Sequence, residues 1–496
     1  MRGIIFDEKG NMIAKEQIKY PPYLSVENGF VEQTPDMYWE VMCRITRALS
    51  EKHPQEMSSV LAMSVDTFRD TVVMLDEDYK PVRNTILWSD QRTSDVSEPL
   101  PFKQRFLLKL VGMDRAIRAI RTNTKTRWVQ QNEPDVWAKV RHVSYISAYL
   151  NYKLTGKLAD SYASSMGHMP FDNKGKKWYG KHALLFPVFD LPQEYVKIPL
   201  FAPGETIGQI SDSAAEQTGI AKGLSLIASG SDTGCETLGS GCLGENEASI
   251  SFGTSSSVQF TTKKYFEPEP FMPAYPAVIK DYYNPEVQIY RGYWMISWFK
   301  KNFAQDLEIL SAQNGTKTED IMNAQIADIP AGCEGLVLQP FWQGGLTSPE
   351  ARGAIIGFSD FHTRAHLYRA IIEGIDFALR EGLERLERRG KQHIEYLSVS
   401  GGGSQSDIIC QIAADVFNRT VRRVQTYETS ALGAAIVTFI ACGVYDDPQT
   451  AVKEMVHFKD EFKPNPDNVK VYDEIYRNIY SKMYDKLQGF YLKLDK

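Results

Sequence analysis

The sequence predicts an α/β protein of two or three domains. Short apolar runs such as Ser225 to Ser229 and Tyr396 to Ser400 alternate with stretches of helical spacing, the longest from Ala365 to Glu387. A strand–turn–strand unit at the start of the chain has a weak echo at Ser249 to Thr261, which reads equally as a two-domain duplication with its first strand missing or as coincidence. The length of 496 residues supplies core for two or three domains.

The elements follow in order. Arg2-Gly3-Ile4-Ile5-Phe6 reads as an apolar strand, Asp7 to Asn11 as a polar turn around Gly10, and Met12 onward as the returning strand. Tyr38 to Ser50 has helical spacing, and Ser59 to Val65 is a short strand-like run. Thr71 to Leu75 and Thr85 to Trp88 are strand-like, separated by the turn Asp76-Glu77-Asp78. Thr126 to Asn132 and Val143 to Leu154 read as helices. Ser225 to Ser229 runs into Gly230-Ser231-Asp232, and Thr233 to Leu243 is rich in small residues, as a closely packed helix is. Ala248 to Phe252 and Ser256 to Thr261 flank Gly253-Thr254-Ser255. Tyr396 to Ser400 leads into Gly401-Gly402-Gly403, with a helix from about Ser406.

Composition narrows the function classes. Apolar residues make up 43% and charged residues 24%, as in an ordinary globular protein. The formal charge of −6 argues against a general binder of nucleic acid or anionic membrane, both of which need a basic surface. The six cysteines form no C-x-x-C pair and read as reduced, buried thiols of a cytoplasmic protein. No signal pattern is visible at the N-terminus, and the apolar stretch Ala431 to Tyr445 is too short to span a bilayer.

Several groups carry candidate chemistry. Backbone N–H groups of the Gly253-Thr254-Ser255 turn can cradle phosphate; the plainer reading is a hairpin turn. The three glycines from Gly401 let a flat ligand or a phosphate approach the backbone, and a helix N-terminus follows; the plainer reading is a flexible loop. Gly239-Ser240-Gly241-Cys242-Leu243-Gly244 matches G-x-G-x-x-G but follows no strand, so it reads as close packing within a helix. His362 and His366 lack a third acidic ligand, and no metal site is expected there. Asp232 is the foremost acid: it follows an apolar strand, where α/β proteins place ligands, and a carboxylate there can take a proton from a hydroxyl. An Asp before a helix can equally be an N-cap.

Taken in order, these residues resemble the FGGY carbohydrate kinases, within the larger group of sugar kinases, actin and Hsp70-like proteins. Leu87-Trp88-Ser89-Asp90-Gln91-Arg92 is similar to the family's W-x-D-x-R segment, and Lys125 to Trp128 to its K-x-x-W element. Leu154-Thr155-Gly156 with Asp160, then Asp172 and Trp178, follow. Gly353 to Phe358, with His366-Leu367 and Glu373, resembles the second family signature, with Phe358 a near miss. Gly402-Gly403-Ser404 through Gln411, Ala414-Asp415 and Leu432-Gly433-Ala434-Ala435 looks like the adenosine-binding region.

The resemblance implies two actin-like, ribonuclease H-like domains, 1–243 and 244–496, with a sugar and ATP in the cleft between them. Asp232 would be the general base toward the sugar hydroxyl. Gly253, Thr254 and Ser255 would hold ATP phosphates, and Gly402, Gly403 and Ser406 would line the adenosine site. Mg²⁺ would neutralise the phosphates. Arg69 and Asp70 stand where glycerol kinases carry an Arg-Glu pair, and would grip substrate hydroxyls as donor and acceptor; the bland alternative is a surface ion pair. Thr233 follows the base, where glycerol kinases carry Gln, and xylulose kinases resemble a pattern with His near residue 70. The expected activity is therefore ATP-dependent phosphorylation of a small sugar or polyol, a pentulose such as xylulose favoured, with glycerol or another polyol or autoinducer-type sugar as the alternative. The expected partner is that small molecule, with no nucleic acid or membrane and a homodimeric state.

Family members open with a further strand and an Asp-x-Gly-Thr phosphate turn before the segment matching Met1 to Asp7. That departure leads to the expectation that the natural protein starts roughly ten to twenty residues upstream, or that the chain is a non-catalytic sugar- or nucleotide-binding homologue. In-frame codons for Asp-x-Gly-Thr just upstream would decide. An NAD enzyme built on Gly239 to Gly244 is disfavoured, because hydride chemistry needs a strand-led glycine motif.

Overall fold

The computed structural model describes residues 1–494 apart from 111, 271, 346 and 347. It divides into two units. The first comprises Met1–Gly239 with two later segments, Phe271–Asn284 and Ser430–Val456. The second comprises Ser240–Pro270, Pro285–Thr429 and His457–Lys496.

The first unit begins with the expected hairpin. Arg2–Phe6 pairs antiparallel with Met12–Gln17. The turn is held by Asp7, whose Oδ1 accepts the amide protons of Lys9 and Asn11 at 2.9 and 2.8 Å. The helix Pro35–Lys52 starts with proline in its first turn, behind Thr34, whose hydroxyl accepts from the Met37 amide. Its buried face, Tyr38, Met42, Ile45 and Leu49 among others, follows helical spacing and forms one core with Leu150, Leu154 and Leu226. Ser225–Ile227 runs parallel to Ala62–Ser64 and antiparallel to Thr206–Gln209.

A second sheet of this unit has the order Glu32–Gln33, Thr85–Ile86, Val72–Leu75, His142–Tyr145. Here one sequence expectation fails. The run Val143 to Leu154 reads as a single helix, but His142–Tyr145 is a strand paired antiparallel with Val72–Leu75, and only Ile146–Thr155 is helical. A continuously apolar run satisfies either period. Burial of Val143, Ser144 and Tyr145 leaves their backbone groups dependent on protein partners, which the neighbouring strand supplies.

The second unit is organised on a six-stranded sheet ordered Glu286–Ile289, Ser256–Gln259, Glu247–Phe252, Tyr396–Ser400, Thr420–Val424, Phe458–Phe462. Glu247–Phe252 is antiparallel to Ser256–Gln259 and parallel to Tyr396–Ser400, so both glycine-rich turns leave adjacent strands at one end. The long helix spans Arg364–Gly390, and Leu367, Ile371, Ile375, Leu379 and Leu386 enter the core. His366 serves at its start: Nδ1 faces the Thr363 amide and hydroxyl at 3.1 and 3.0 Å, and Nε2 lies 2.9 Å from Glu334.

Two further expectations are corrected. The helix Asp232–Gly239 stops where G-x-G-x-x-G begins, so the motif forms the turn after a helix rather than its interior. Cys235, Cys242, Cys333 and Cys410 are buried, but Cys43 is half-buried and Cys442 is exposed. Among the described residues no helix is long and apolar enough to cross a membrane.

Asp160 offers a stability test. It begins a short strand parallel to Leu200–Phe201 and is 1% exposed. Burial raises its carboxyl to about 7, against the opposing hydrogen bonds from the Ser147 hydroxyl at 2.5 Å and the Ser161 amide at 2.8 Å. The folded state therefore holds a proton that the unfolded chain releases above its ordinary value of 3.8. Stability from this group is full below that value, falls as pH rises toward 7, and stays low above it, by at most about 4 kcal/mol. Asp160→Asn is expected to raise the Tm at pH 8 and to raise it less at pH 5. Equal shifts at both values would contradict the assignment.

Candidate active site

The first unit draws three segments together around Asp232. Thr67 and Ser231 form a parallel bridge, and the Asp232 amide donates to the Thr67 carbonyl at 2.9 Å. The Ser231 amide donates to the Ala163 carbonyl, and the Asp70 amide to the Met166 carbonyl, both at 3.1 Å. Segments 67–70, 163–168 and 231–232 are thus joined through backbone.

The helix that begins at Asp232 is capped by its neighbour. The Ser231 hydroxyl accepts from the Gly234 amide at 3.3 Å, and the Ser231 carbonyl accepts from Cys235 at 2.9 Å. Asp232 Oδ1 accepts the adjacent Thr233 amide at 2.8 Å. The cap reading of Asp232 is therefore met by Ser231 instead. The helix packs tightly against a later one: a Cβ on Gly433, in Thr429–Ala441, would collide with the Cys235 carbonyl.

Arg69 and Asp70 do not pair with each other as a surface ion pair. The Arg69 guanidinium lies over the Tyr275 ring, 5.1 Å from its centroid. Asp70 turns to His168, accepting its amide at 2.8 Å and facing its Nδ1 at 2.7 Å.

The W-x-D-x-R and K-x-x-W segments meet in one buried charge cluster. Arg92 Nε and Nη2 donate to the two oxygens of Asp90 at 2.8 and 2.9 Å, and Nη2 also lies 2.7 Å from Glu32. The Val31 amide donates to Asp90 at 2.6 Å, and the Lys125 ammonium to the Asp90 carbonyl at 2.8 Å. The Arg92 guanidinium lies over the Phe30 and Trp128 rings, 4.1 and 4.5 Å from their centroids. Burial lowers the Lys125 ammonium, opposed by Asp70 and Asp90. These motif residues hold the scaffold of the first unit. Gln411 and Asp415 do the same in the second, where Asp415 accepts from Gln411, Asn465 and Asn468.

The second unit places its two glycine turns side by side. The carbonyls of Gly253 and Thr254 accept the amides of Tyr293 and Trp294, both at 3.1 Å. The Ser255 hydroxyl accepts from Gln288 Nε2 at 2.6 Å. The turn is braced through its acceptors, while the N–H groups of Gly253, Thr254 and Ser255 have no partner among the described residues. Successive unpaired amides on a partly exposed turn suit an anion.

The three later glycines serve different ends. Gly401 has φ +80, and a Cβ there would lie 2.8 Å from the Phe252 carbonyl carbon, so only glycine lets the two turns touch. A Cβ on Gly403 would strike the Tyr293 ring. Gly402 has open space around it and is exposed. Ser406 stands at the N-terminus of Asp407–Phe417 without a side-chain cap bond.

Sequence reading missed Ser231, His168, Gln288 and Tyr293. Tyr293 was visible only as part of the aromatic run Tyr290, Tyr293, Trp294, Trp298, which reads as core; its ring is indeed buried, 4.9 Å from that of Phe252, but it also supports both turns. No spacing pattern singles out His168.

Two α/β units, one with an acid at a strand end and one with a pair of anion-ready turns, define a phosphotransferase of the sugar-kinase kind. Residues 1–239 match the N-terminal domain of the FGGY family of carbohydrate kinases, and residues 248–442 its C-terminal domain. The chain belongs to that family, which acts on sugars with ATP as the phosphoryl donor. It is 28% identical to a xylulose kinase of Lactococcus lactis, over 98% of this chain and 94% of that protein. It is 27% identical to an uncharacterized sugar kinase of Escherichia coli, YgcE, over 97% and 90%. Among solved structures, the ligand-bound xylulose kinase from Lactobacillus acidophilus superposes with a TM-score of 0.83 at 20% identity, covering 99% of this chain and 97% of that one.

Proposed function

We propose that this kinase transfers the γ-phosphoryl group of ATP to a hydroxyl of a pentulose such as xylulose, with Asp232 as general base. The observation that supports the base assignment is the Ser231 cap: the Ser231 hydroxyl takes the Gly234 amide, so Asp232 stands inside the first turn, on the adjacent Thr233 amide, rather than as the N-cap. Asp232 takes the proton of the attacking hydroxyl, Thr233 and Arg69 contact other hydroxyls, and Asp70, whose two oxygens face the His168 amide and ring, serves the acceptor side through that residue. The amides of Gly253, Thr254 and Ser255 hold phosphate oxygens, with Thr254 exposed on the turn. Gly402, Gly403 and Ser406 line the adenosine site, where open space at Gly402 allows close approach. In this division of labour residues 1–243 carry the acceptor side and residues 244–496 the nucleotide side.

Mg²⁺ belongs to the same proposal. No group of three acids or imidazoles among the described residues is arranged to hold a metal. That suits an ion that arrives on the nucleotide, because Mg²⁺ is held largely by phosphate oxygens and water. When bound it neutralises phosphate charge. A cytoplasmic location fits the four buried thiols, and a homodimer completes the reading, checked by light scattering.

The deciding experiment is coupled ADP release with pentuloses, polyols, gluconate and glycerol, with and without Mg²⁺. A pentulose is expected to give the highest kcat/KM, and omission of Mg²⁺ to abolish turnover. Binding of ATP and a sugar without any ADP release would instead establish a non-catalytic binding protein. Gly403→Ala, which forces the Tyr293 ring to shift, is expected to raise the KM for ATP and leave the KM for sugar unchanged; the reverse pattern would detach this glycine from the nucleotide site.

A further inference from the structure

Asp70 is held in an unusual way. Its φ is +52, a left-handed conformation that residues with side chains rarely adopt. Its Oδ1 accepts the His168 amide and its Oδ2 lies 2.7 Å from His168 Nδ1. Between the partners sits Gly167 at φ +140, where a Cβ would collide with the Asp70 carboxylate. A strained aspartate, a glycine without room for a side chain and a two-point contact all serve one end, which is to fix the His168 ring.

The carboxylate also carries its charge firmly. Burial alone would raise the Asp70 carboxyl, but the His168 ring and amide and the Lys125 ammonium outweigh it and hold the group below its ordinary value. An ionised carboxylate can only accept, so His168 Nδ1 carries the proton of this bond. In the neutral ring Nε2 is then a bare acceptor. Nε2 has no partner among the described residues, and the side chain is 27% exposed. The segment that bears it is bonded to both others of the Asp232 cluster, at Ala163 to Ser231 and at Met166 to Asp70.

We propose that His168 is a specificity-determining residue whose Nε2 accepts a hydrogen bond from a sugar hydroxyl, and that Asp70 is a positioning residue acting through it. The inference rests on the kinase reading and deepens it. Asp70 sets the tautomer and the ring plane; His168 reads the substrate. A hydroxyl in reach of Nε2 is accepted as a donor, and a sugar lacking that hydroxyl leaves the acceptor unmet.

The test uses His168→Ala, His168→Gln and Asp70→Asn in the full chain, assayed with the preferred sugar and its mono-deoxy analogues. His168→Ala is expected to raise the KM for sugar about 10- to 100-fold, with kcat and the KM for ATP within about twofold of wild type. It should also stop distinguishing the parent sugar from one deoxy analogue. His168→Gln, which restores an acceptor oxygen, should recover most of the loss, and Asp70→Asn should show a smaller rise of the same kind. An unchanged sugar KM in His168→Ala at unchanged Tm would overturn the inference and leave the kinase reading standing. So would sugar and ATP KM values rising together. If the wild type phosphorylates no sugar, the kinase reading fails separately, and calorimetric titration with the same sugars decides this inference. Binding lost in His168→Ala supports it; equal binding by both proteins, or none by the wild type, overturns it.

Discussion

Asp232→Asn is expected to lower kcat for sugar phosphorylation about a hundred- to ten-thousand-fold, while ATP affinity and Tm stay near those of the wild type. The substitution is close to isosteric, so packing around the helix Asp232–Gly239 is kept. The amide oxygen can still accept from the Thr233 N–H, as Asp232 Oδ1 does now at 2.8 Å. Ser231 still caps the helix through Gly234. What the amide cannot do is take a proton from a hydroxyl at neutral pH. The groups proposed for the nucleotide all belong to the second unit and are untouched. Coupled ADP release, calorimetric ATP binding and thermal melting together separate lost chemistry from lost fold. Turnover within roughly tenfold of wild type, less than a general base contributes, would remove Asp232 from that role.

Asp90→Ala is expected to act in the opposite sense, destabilising the protein by about 3–5 kcal/mol while touching no proposed substrate group. The Asp90 carboxylate is fully buried and receives both donors of the Arg92 fork, the Arg92 amide and the Val31 amide. Removing it leaves a guanidinium at 1% exposure with Glu32 as its remaining carboxylate, and the Val31 amide unpaired. Replacing one partner of a buried charge pair costs far more than the pair itself contributes, because the survivor stays desolvated. Urea unfolding measures the loss directly. A change under about 1 kcal/mol would place this cluster with the exposed ion pairs that contribute little.

The contrast between these residues shows what the sequence could disclose. Asp90, Arg92, Lys125 and Trp128 were legible as an ordered family pattern, but their pattern reports the scaffold, since their side chains meet one another. The two glycine turns were legible from strand, turn and helix spacing, and the structure sets them on adjacent strands as that spacing demands. The hairpin and the long helix were legible because a single period governs each. Val143 to Tyr145 misled because an unbroken apolar run has no period to read. His168 was illegible because its partner, Asp70, lies 98 positions away and its meaning depends on a backbone conformation rather than on neighbours in the chain. Ser231 was overlooked for the opposite reason: it adjoins Asp232, and two residues that can both cap a helix cannot be ranked by position alone.

The two late segments of the first unit bear on how the protein is made. Residues 430–456 pack with Met1–Gly239, and Gly433 lies against the backbone of Cys235. A ribosome adding 5–20 residues each second exposes the early part of that unit for roughly ten seconds or more before its closing helix is synthesised. Through that interval the Cys235 face of the nascent chain lacks its partner, so the first unit is finished only near the end of translation. Chains released early would carry the Asp232 helix without its cover, and would be the natural clients of chaperones and proteases.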